Sequence, residues 1–297
     1  MNPLCVIAGP TASGKTALAI EVAQRLGAEI VSADSQQVYR HFDLGTAKPS
    51  ADELARVPHH LIGVVEPTED FSAARYQSLA DAAIADIQRR GKKVVLVGGT
   101  GLYLRVLLKG VVPVPGADPA LREALEAFAD AQGAQALWEK LDAVDPQTAK
   151  RLPPADRFRI IRALEIHARS GQPASEARQQ HAFAEARHPH RLFVLNPARE
   201  QLYEAINART RAMYAAGLVD EAKALAARGY EHAAPMRSVG YVEALAAAQG
   251  KLTLDEAIAL TAQRTRNYAK RQFTWFKKEQ GEVLAPPYDA ALIAGRL

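Results

Sequence analysis

Residues 9–16 read Gly-Pro-Thr-Ala-Ser-Gly-Lys-Thr, a complete G-x-x-x-x-G-K-[ST] stretch between an apolar run, Leu4 to Ala8, and a helical pattern, Thr16 to Leu26. A strand, a tight turn and a helix N-terminus are the context this spacing requires. Gly9 and Gly14 let successive backbone N–H groups turn inward around phosphate oxygens, Lys15 supplies a mobile cation, and Thr16 offers a hydroxyl to Mg²⁺. From average residue frequencies the bare pattern arises in roughly 1% of chains of this length. With the matching strand and helix beside it, coincidence is a poor explanation. The loop cradles a pyrophosphate without specifying ATP.

Outward from the loop, further β-rich runs fall at Glu29 to Ala33, His60 to Val65 and Lys93 to Val97, with helical patterns between most of them, as at Ala73 to Arg89. Alternating strands and helices imply right-handed crossovers and a parallel sheet. A fifth strand, Arg191 to Leu195, follows only after an excursion that opens in VVPVPGADP and closes in RHPHR. Proline-rich borders around a segment of helical periodicity predict an inserted subdomain over 114–189. Beyond the fifth strand the chain reads as helix over Glu200 to Leu225, Ser238 to Ala248 and Leu254 to Lys278. The predicted fold is therefore α/β: a P-loop NTPase-like parallel sheet flanked by helices (1–113 and 190–297), an inserted all-helical subdomain and a helical C-terminal region.

Two turns share the carboxyl edge of such a sheet with the phosphate loop. The second strand ends in Ser32-Ala33-Asp34-Ser35-Gln36-Gln37, and Asp34 reads either as a turn or helix-capping residue or as a general base or metal partner. Gly98-Gly99-Thr100-Gly101 follows the fourth strand, either as a turn that needs small residues or as a close approach of backbone and Thr100 to a ligand. Arg209 and Arg211, on the helix after the fifth strand, are placed to reach a departing pyrophosphate.

The 297 residues carry 37 Lys+Arg against 33 Asp+Glu, a net charge of +4, which excludes a uniformly cationic coat but admits a local polyanion site. Residues 264–278, RTRNYAKRQFTWFKK, hold six basic residues, four aromatics and no acid. On a helix Arg264, Tyr268, Arg271 and Trp275 form one stripe, either a solvated face or a phosphate-binding ridge with stacking potential, while Ala269, Phe273 and Phe276 form a core stripe. A second cluster, Lys150, Arg151, Arg157, Arg159 and Arg162, lies in the insertion, where Arg162 can instead pair locally with Glu165. The single Cys5 excludes an intrachain disulfide, and no stretch has the length and apolarity of a membrane span or a signal peptide. A cytoplasmic, membrane-free, monomeric protein is expected.

GPTASGKT at 9–16, ADSQQVY at 33–39, GTAKPS at 45–50, PHHLI at 58–62, LVGGTGLYL at 96–104, RALEI at 162–166 and RNYAKRQFTWF at 266–276 together resemble the bacterial tRNA dimethylallyltransferases. The resemblance runs over nearly the whole chain and is weakest over about 114–150 and the last fifteen or so residues. It implies transfer of a dimethylallyl group from dimethylallyl diphosphate to the exocyclic amine of the adenosine 3′ of the anticodon, with Mg²⁺ as cofactor. It implies that Gly9, Pro10, Thr11, Ala12, Ser13, Gly14, Lys15 and Thr16 hold the donor's diphosphate, with Thr16 on the metal and Arg209 joining Lys15. It further implies that Asp34 is the base, that Thr100 helps position it, and that Ser35, Gln36 and Gln37 meet the flipped-out base and its neighbours. The remaining tRNA contacts it implies are Arg122, Phe158, Arg159, Ile160, Ile161 and Arg162 in a subdomain clamping the anticodon stem-loop, with Arg237, Arg264 and Arg271 elsewhere. Phe158, Val242-Glu243 and Gly63 depart from the family's usual Gln, Arg-Gln and Asp. A small-molecule P-loop kinase with a helical lid, or a non-catalytic RNA-binding module, would share the phosphate loop but leave ADSQQVY and GGTGLY without a joint purpose.

Overall fold

The computed structural model describes residues 3–181 and 187–297. The chain divides into two compact units, Met1–Leu108 with Arg187–Leu297, and Lys109–Ala186. The insertion thus begins a few residues before the proline-rich stretch, and 182–186 of its expected span lie outside the described residues.

The first unit opens with β1 (Leu4–Ala8), α1 (Lys15–Leu26), β2 (Glu29–Ser32), α2 (Ala51–Arg56), β3 (His59–His60), α3 (Ala73–Arg89), β4 (Val94–Gly98) and α4 (Gly101–Lys109). The inserted unit carries α5 (Pro119–Val144), α6 (Pro146–Ala149), α7 (Arg157–Ser170) and α8 (Ala174–His181). The chain then returns through β5 (His190–Leu195), α9 (Arg199–Ala215), α10 (Leu218–Leu225), α11 (Tyr241–Ala248), α12 (Leu254–Phe276), β6 (Glu282–Leu284) and α13 (Ala290–Ala294). The six strands form one sheet in the order β3-β2-β4-β1-β5-β6, every pairing parallel. Both faces of its centre are covered, so β1 and β2 are buried along their whole length, which is why β1 reads as an unbroken apolar run and β2 carries Ile30 and Val31 side by side rather than alternating with polar residues.

Several expected boundaries move. The apolar run from His60 to Val65 is not one strand: Leu61 and Gly63 adopt left-handed φ of 65° and 61°, so pairing stops at His60. Only Val65 returns, bridging Tyr39. The helix expected over 200–225 breaks at Gly217, with φ 101°, and α11 starts at Tyr241 behind Gly240, also at φ 101°. A glycine in that region caps a helix that a side chain would strain. The short edge strand β6 carries too few residues to show a period. No helix among the described residues is long and apolar enough to cross a membrane.

Within the inserted unit, Leu137, Leu141, Ile160, Ile161 and Ile166 are buried together. Ile160 and Ile161 are 0% and 4% exposed, so their side chains belong to this core. Phe158 and Arg159, just before them in the same turn, are exposed instead.

Glu29, at the amino end of β2, is almost fully buried and gathers two cations, Arg90 and Lys92, and the His60 ring. Arg90 Nη2 and His60 Nε2 each lie 2.7 Å from its carboxylate, and Lys92 Nζ lies 2.9 Å away. The Arg90 hydrogen bonds, with those of Lys92 and His60, hold its carboxyl far below the usual range against the opposing effect of burial. Its stability contribution is present above the unfolded pKa near 4.3 and is lost as pH falls below it. Glu29→Gln is expected to cost about 2 kcal/mol at pH 7, less than a fully buried pair because Arg90 and Lys92 still reach water. Urea unfolding from pH 7 to pH 3 checks this, the variant losing less stability on acidification than the parent.

Candidate active site

The parallel sheet brings the carboxyl ends of β1, β4 and β2 to one edge, and the three turns read from sequence emerge there. β4 lies between the other two, so Asp34 neighbours the Gly98–Gly101 turn directly and the phosphate loop at one remove. A cavity of about 350 Å³ opens on this edge, lined by Thr11 to Ala17, Asp34, Gly98, Gly99, Arg209, Tyr268 and Gln272 among others. A second, of about 280 Å³, shares Thr11, Asp34, Arg209 and Tyr268 with it and extends past Ser35, Gln36, Met213 and Arg237. Asp34 and Arg209 therefore stand where the two cavities meet.

The phosphate loop has the backbone its motif requires. Gly14 caps α1 at φ 83°, and no side chain satisfies the first N–H groups of that helix, leaving them to an anion. Ala12 holds a left-handed φ of 63° despite its Cβ, a strained conformation of the kind functional loops retain. The Ser13 hydroxyl is buried without a partner. Lys15 Nζ donates to the Pro10 carbonyl; burial pushes its pKa down to about 7, Asp34 acting against that shift and Arg209 with it. On α9, Arg209 Nη2 donates to Thr11 Oγ1 at 2.6 Å, whereas Arg211 is exposed.

Asp34 serves the capping role and faces the cavity. Its Oδ1 accepts the N–H groups of Gln36 and Gln37 at 2.8 and 3.2 Å, which orients the carboxylate. Thr100 Oγ1 accepts the Ser35 N–H at 3.1 Å, tying the β4 turn to the β2 turn. Gln37 is committed to the loop itself, donating from Nε2 to the carbonyls of Thr46 and Ala47 at 3.3 and 2.9 Å. Gln36 Oε1 is buried and unpartnered. Behind that loop the Tyr241 hydroxyl donates to Glu221 and accepts the Gly45 N–H at 3.1 Å.

α12 does not present the stripe expected of it. Tyr268 and Trp275 turn towards the β4 turn, and Arg264 Nη1 donates at 2.5 Å to the fully buried Glu243. Glu243 Oε2 also accepts the Gly240 N–H at 2.7 Å, so the departure at 243 supplies a helix cap. Arg271 stays exposed, its guanidinium 5.6 Å from the Tyr268 ring centroid. Arg237 is exposed as well. Gln272, which its neighbours' charge and aromaticity obscured in the sequence, is buried: its Oε1 accepts the Thr11 N–H at 2.8 Å and its Nε2 donates to the Gly99 carbonyl at 2.9 Å. The signal that marks it is the i, i+4, i+7 series Tyr268, Gln272, Trp275.

In the inserted unit, Arg122 meets Glu165 through Nε and Nη2, each at 3.0 Å, and Arg162 meets the same buried carboxylate while its Nη2 donates to the Pro115 carbonyl at 2.7 Å. Glu165 is held down to about 2 by these partners against its own burial. The local Arg162–Glu165 pair thus forms. Phe158 is 73% exposed, and Arg159, beside Asp156 at 3.3 Å, is exposed too.

Among known proteins, the sequence model of the IPP transferase family matches residues 37–279. The tRNA dimethylallyltransferase of Myxococcus xanthus is 63% identical over 98% of this chain and 95% of its own, and that of Anaeromyxobacter dehalogenans 55% identical over 99% and 98%. The crystal structure of the full-length tRNA isopentenylpyrophosphate transferase of Bacillus halodurans superposes with a TM-score of 0.73 at 38% identity, covering 100% of this chain and 95% of that one. A eukaryotic dimethylallyltransferase acting on tRNA superposes at 0.81 with 27% identity, over 96% of this chain and 74% of that one. A phosphate loop, an Asp34 turn and a Gly98–Gly101 turn joined in this way, in a chain matched along almost its whole length by these relatives, belong to the IPP transferase family.

Proposed function

We propose that the chain transfers the dimethylallyl group of dimethylallyl diphosphate to N6 of the adenosine 3′ of the anticodon in tRNA, releasing diphosphate. The observation that carries this reading is the meeting of two cavities at Asp34 and Arg209, one floored by an anion cradle and one rimmed by Ser35, Gln36 and Arg237. A donor's leaving group occupies the first and a base unstacked from its loop enters through the second. The adenine amine attacks C1 of the dimethylallyl group as the C1–O bond to diphosphate breaks. Asp34 takes the N6 proton, its carboxylate held by the Gln36 and Gln37 amides. The charge left on the diphosphate is met by Lys15, Arg209, the Ser13 hydroxyl and the N-terminus of α1.

The oxygen set beside the loop, the Thr16 and Ser32 hydroxyls and the Asp34 carboxylate around one cavity, suits a hard cation. Thr16 would hold Mg²⁺ there, and the ion would supply Lewis-acid stabilisation of the leaving group. A kinase would use the same cradle, but the relatives are tRNA dimethylallyltransferases. A reducing, cytoplasmic setting suits the one buried thiol, Cys5, and a monomer acting on an anticodon stem-loop accounts for the exposed Phe158, Arg159, Arg237 and Arg271.

Incubating the chain with Mg²⁺, dimethylallyl diphosphate and an anticodon stem-loop bearing the target adenosine is expected to give one dimethylallyl adduct by mass spectrometry. A phosphorylated small acceptor with no adduct would sink the proposal. In the same assay Asp34→Asn is expected to lower kcat by about 10²–10⁴-fold while donor binding changes little.

Donor affinity carries a proton linkage. Diphosphate draws Lys15 back to its cationic form, so above a free-state pKa of about 7 binding takes up a proton and weakens by up to about tenfold per pH unit. Calorimetry over pH 7.5–9 in buffers of different ionisation enthalpy measures the uptake, and Lys15→Met is expected to bind more weakly with a flatter profile.

RNA affinity is expected to rest on the exposed arginines. Arg159→Ala and Arg271→Ala should each weaken stem-loop binding and reduce the slope of log K against log salt by about one. Filter binding across a salt series reads both quantities.

A further inference from the structure

One face of α12 docks on the turn after β4, residue against residue. A Cβ added at Gly99 would stand 2.4 Å from Gln272 Nε2, and one added at Gly101 would stand 2.1 Å from Trp275 Nε1. Between them Tyr268 lies beside the side chains of Thr100 and Gln272. The helix thus seats Tyr268, Gln272 and Trp275, at i, i+4 and i+7, on three consecutive residues of the turn.

Gln272 does more than pack. Its carboxamide spans from the Thr11 N–H at 2.8 Å to the Gly99 carbonyl at 2.9 Å, with the residue only 5% exposed. Thr11 belongs to the phosphate loop, and its hydroxyl carries Arg209. On the other side the Gly98–Gly101 turn holds the Ser35 N–H through Thr100, one residue from Asp34. A single side chain therefore links the loop assigned to the leaving group with the turn that steadies the base. Only a carboxamide of this length offers one acceptor and one donor in these directions. Methionine keeps the volume and neither bond. Glutamate keeps the acceptor but turns a carboxylate oxygen on the Gly99 carbonyl.

We propose that Gln272 is a positioning residue: it fixes the diphosphate cradle against the Asp34 turn, so that C1 of the donor faces the incoming amine and not water. The inference rests on the reaction proposed above. Where the register slips, water attacks C1, the C1–O bond breaks, and the products are the dimethylallyl alcohol, diphosphate and a proton. Misalignment is then read as diphosphate released without an adduct.

The test compares the full chain with Gln272→Met and Gln272→Glu, using dimethylallyl diphosphate, Mg²⁺ and the anticodon stem-loop. Thermal unfolding establishes that each variant is folded, and kcat is taken per donor-binding site. The expected result is a fall in kcat of about 10–100-fold with each KM within about threefold, together with more than one diphosphate released per adduct, the excess larger for Met than for Glu. A ratio that stays at one with kcat unchanged overturns the proposal. So does failure of both variants to fold, which would make Gln272 a packing residue alone. No adduct from the unsubstituted chain overturns the proposed reaction and this inference with it, whereas normal turnover by both variants overturns this inference alone.

Discussion

The placement of β4 between β1 and β2 is the constraint from which the site follows. In a parallel sheet all strands deliver their carboxyl ends to one edge, about 4.8 Å apart. The Gly98–Gly101 turn is therefore about 5 Å from the phosphate loop on one side and from the Asp34 turn on the other. With β1 and β2 adjacent, the loop and the carboxylate would crowd one another, and Thr100 could not reach the Ser35 N–H. The interposed turn must be thin, because Gly98 lies against Ala33 and the next residues lie under α12. Its glycines are consequences of strand order.

The electrostatics of the edge follow from the same packing. Lys15 and Arg209 line one cavity, and the Asp34 carboxylate acts on both. Burial works against both cations, and the two repel each other. An anion of more than one charge relieves both effects at once, whereas a neutral ligand relieves neither. A site organised this way favours the departing diphosphate, which gains one negative charge as the C1–O bond breaks, over the ground-state ester, which is the direction catalysis requires.

How much of this could be read from residues alone depends on how local the cause is. The phosphate loop is a backbone motif, and its strand, turn and helix are contiguous, so the structure at 4–26 follows its pattern. The inserted helical unit announced itself by its proline borders, yet which face of α7 is core needed the partner helix: Ile160 and Ile161 were legible as apolar but not as inaccessible. Gln272 was illegible for the opposite reason. Its partners, Thr11 and Gly99, lie 261 and 173 residues away, so the helical series it shares with Tyr268 and Trp275 gives its face but not what that face meets. The short strand β3 misled because Leu61 adopts a left-handed φ that its side chain does not advertise.

The arginines of the inserted unit show how one residue serves fold and ligand together. Glu165 is fully buried and needs cationic partners, and Arg122 and Arg162 provide them while remaining 36% and 26% exposed. A guanidinium has five N–H donors in a fixed fork, and Glu165 with the backbone uses only some of them. The donors left over stand on a side chain already immobilised by the fold. A phosphate that engages them orders less than one that must gather an exposed arginine such as Arg159, so the loss of side-chain entropy on binding is smaller. Replacing Glu165 would therefore release two arginines into solvent and add mobile charge to the surface, yet weaken any contact that depends on their being held. On this unit, rigidity of charge and not its amount is what the fold contributes to the RNA contact proposed above.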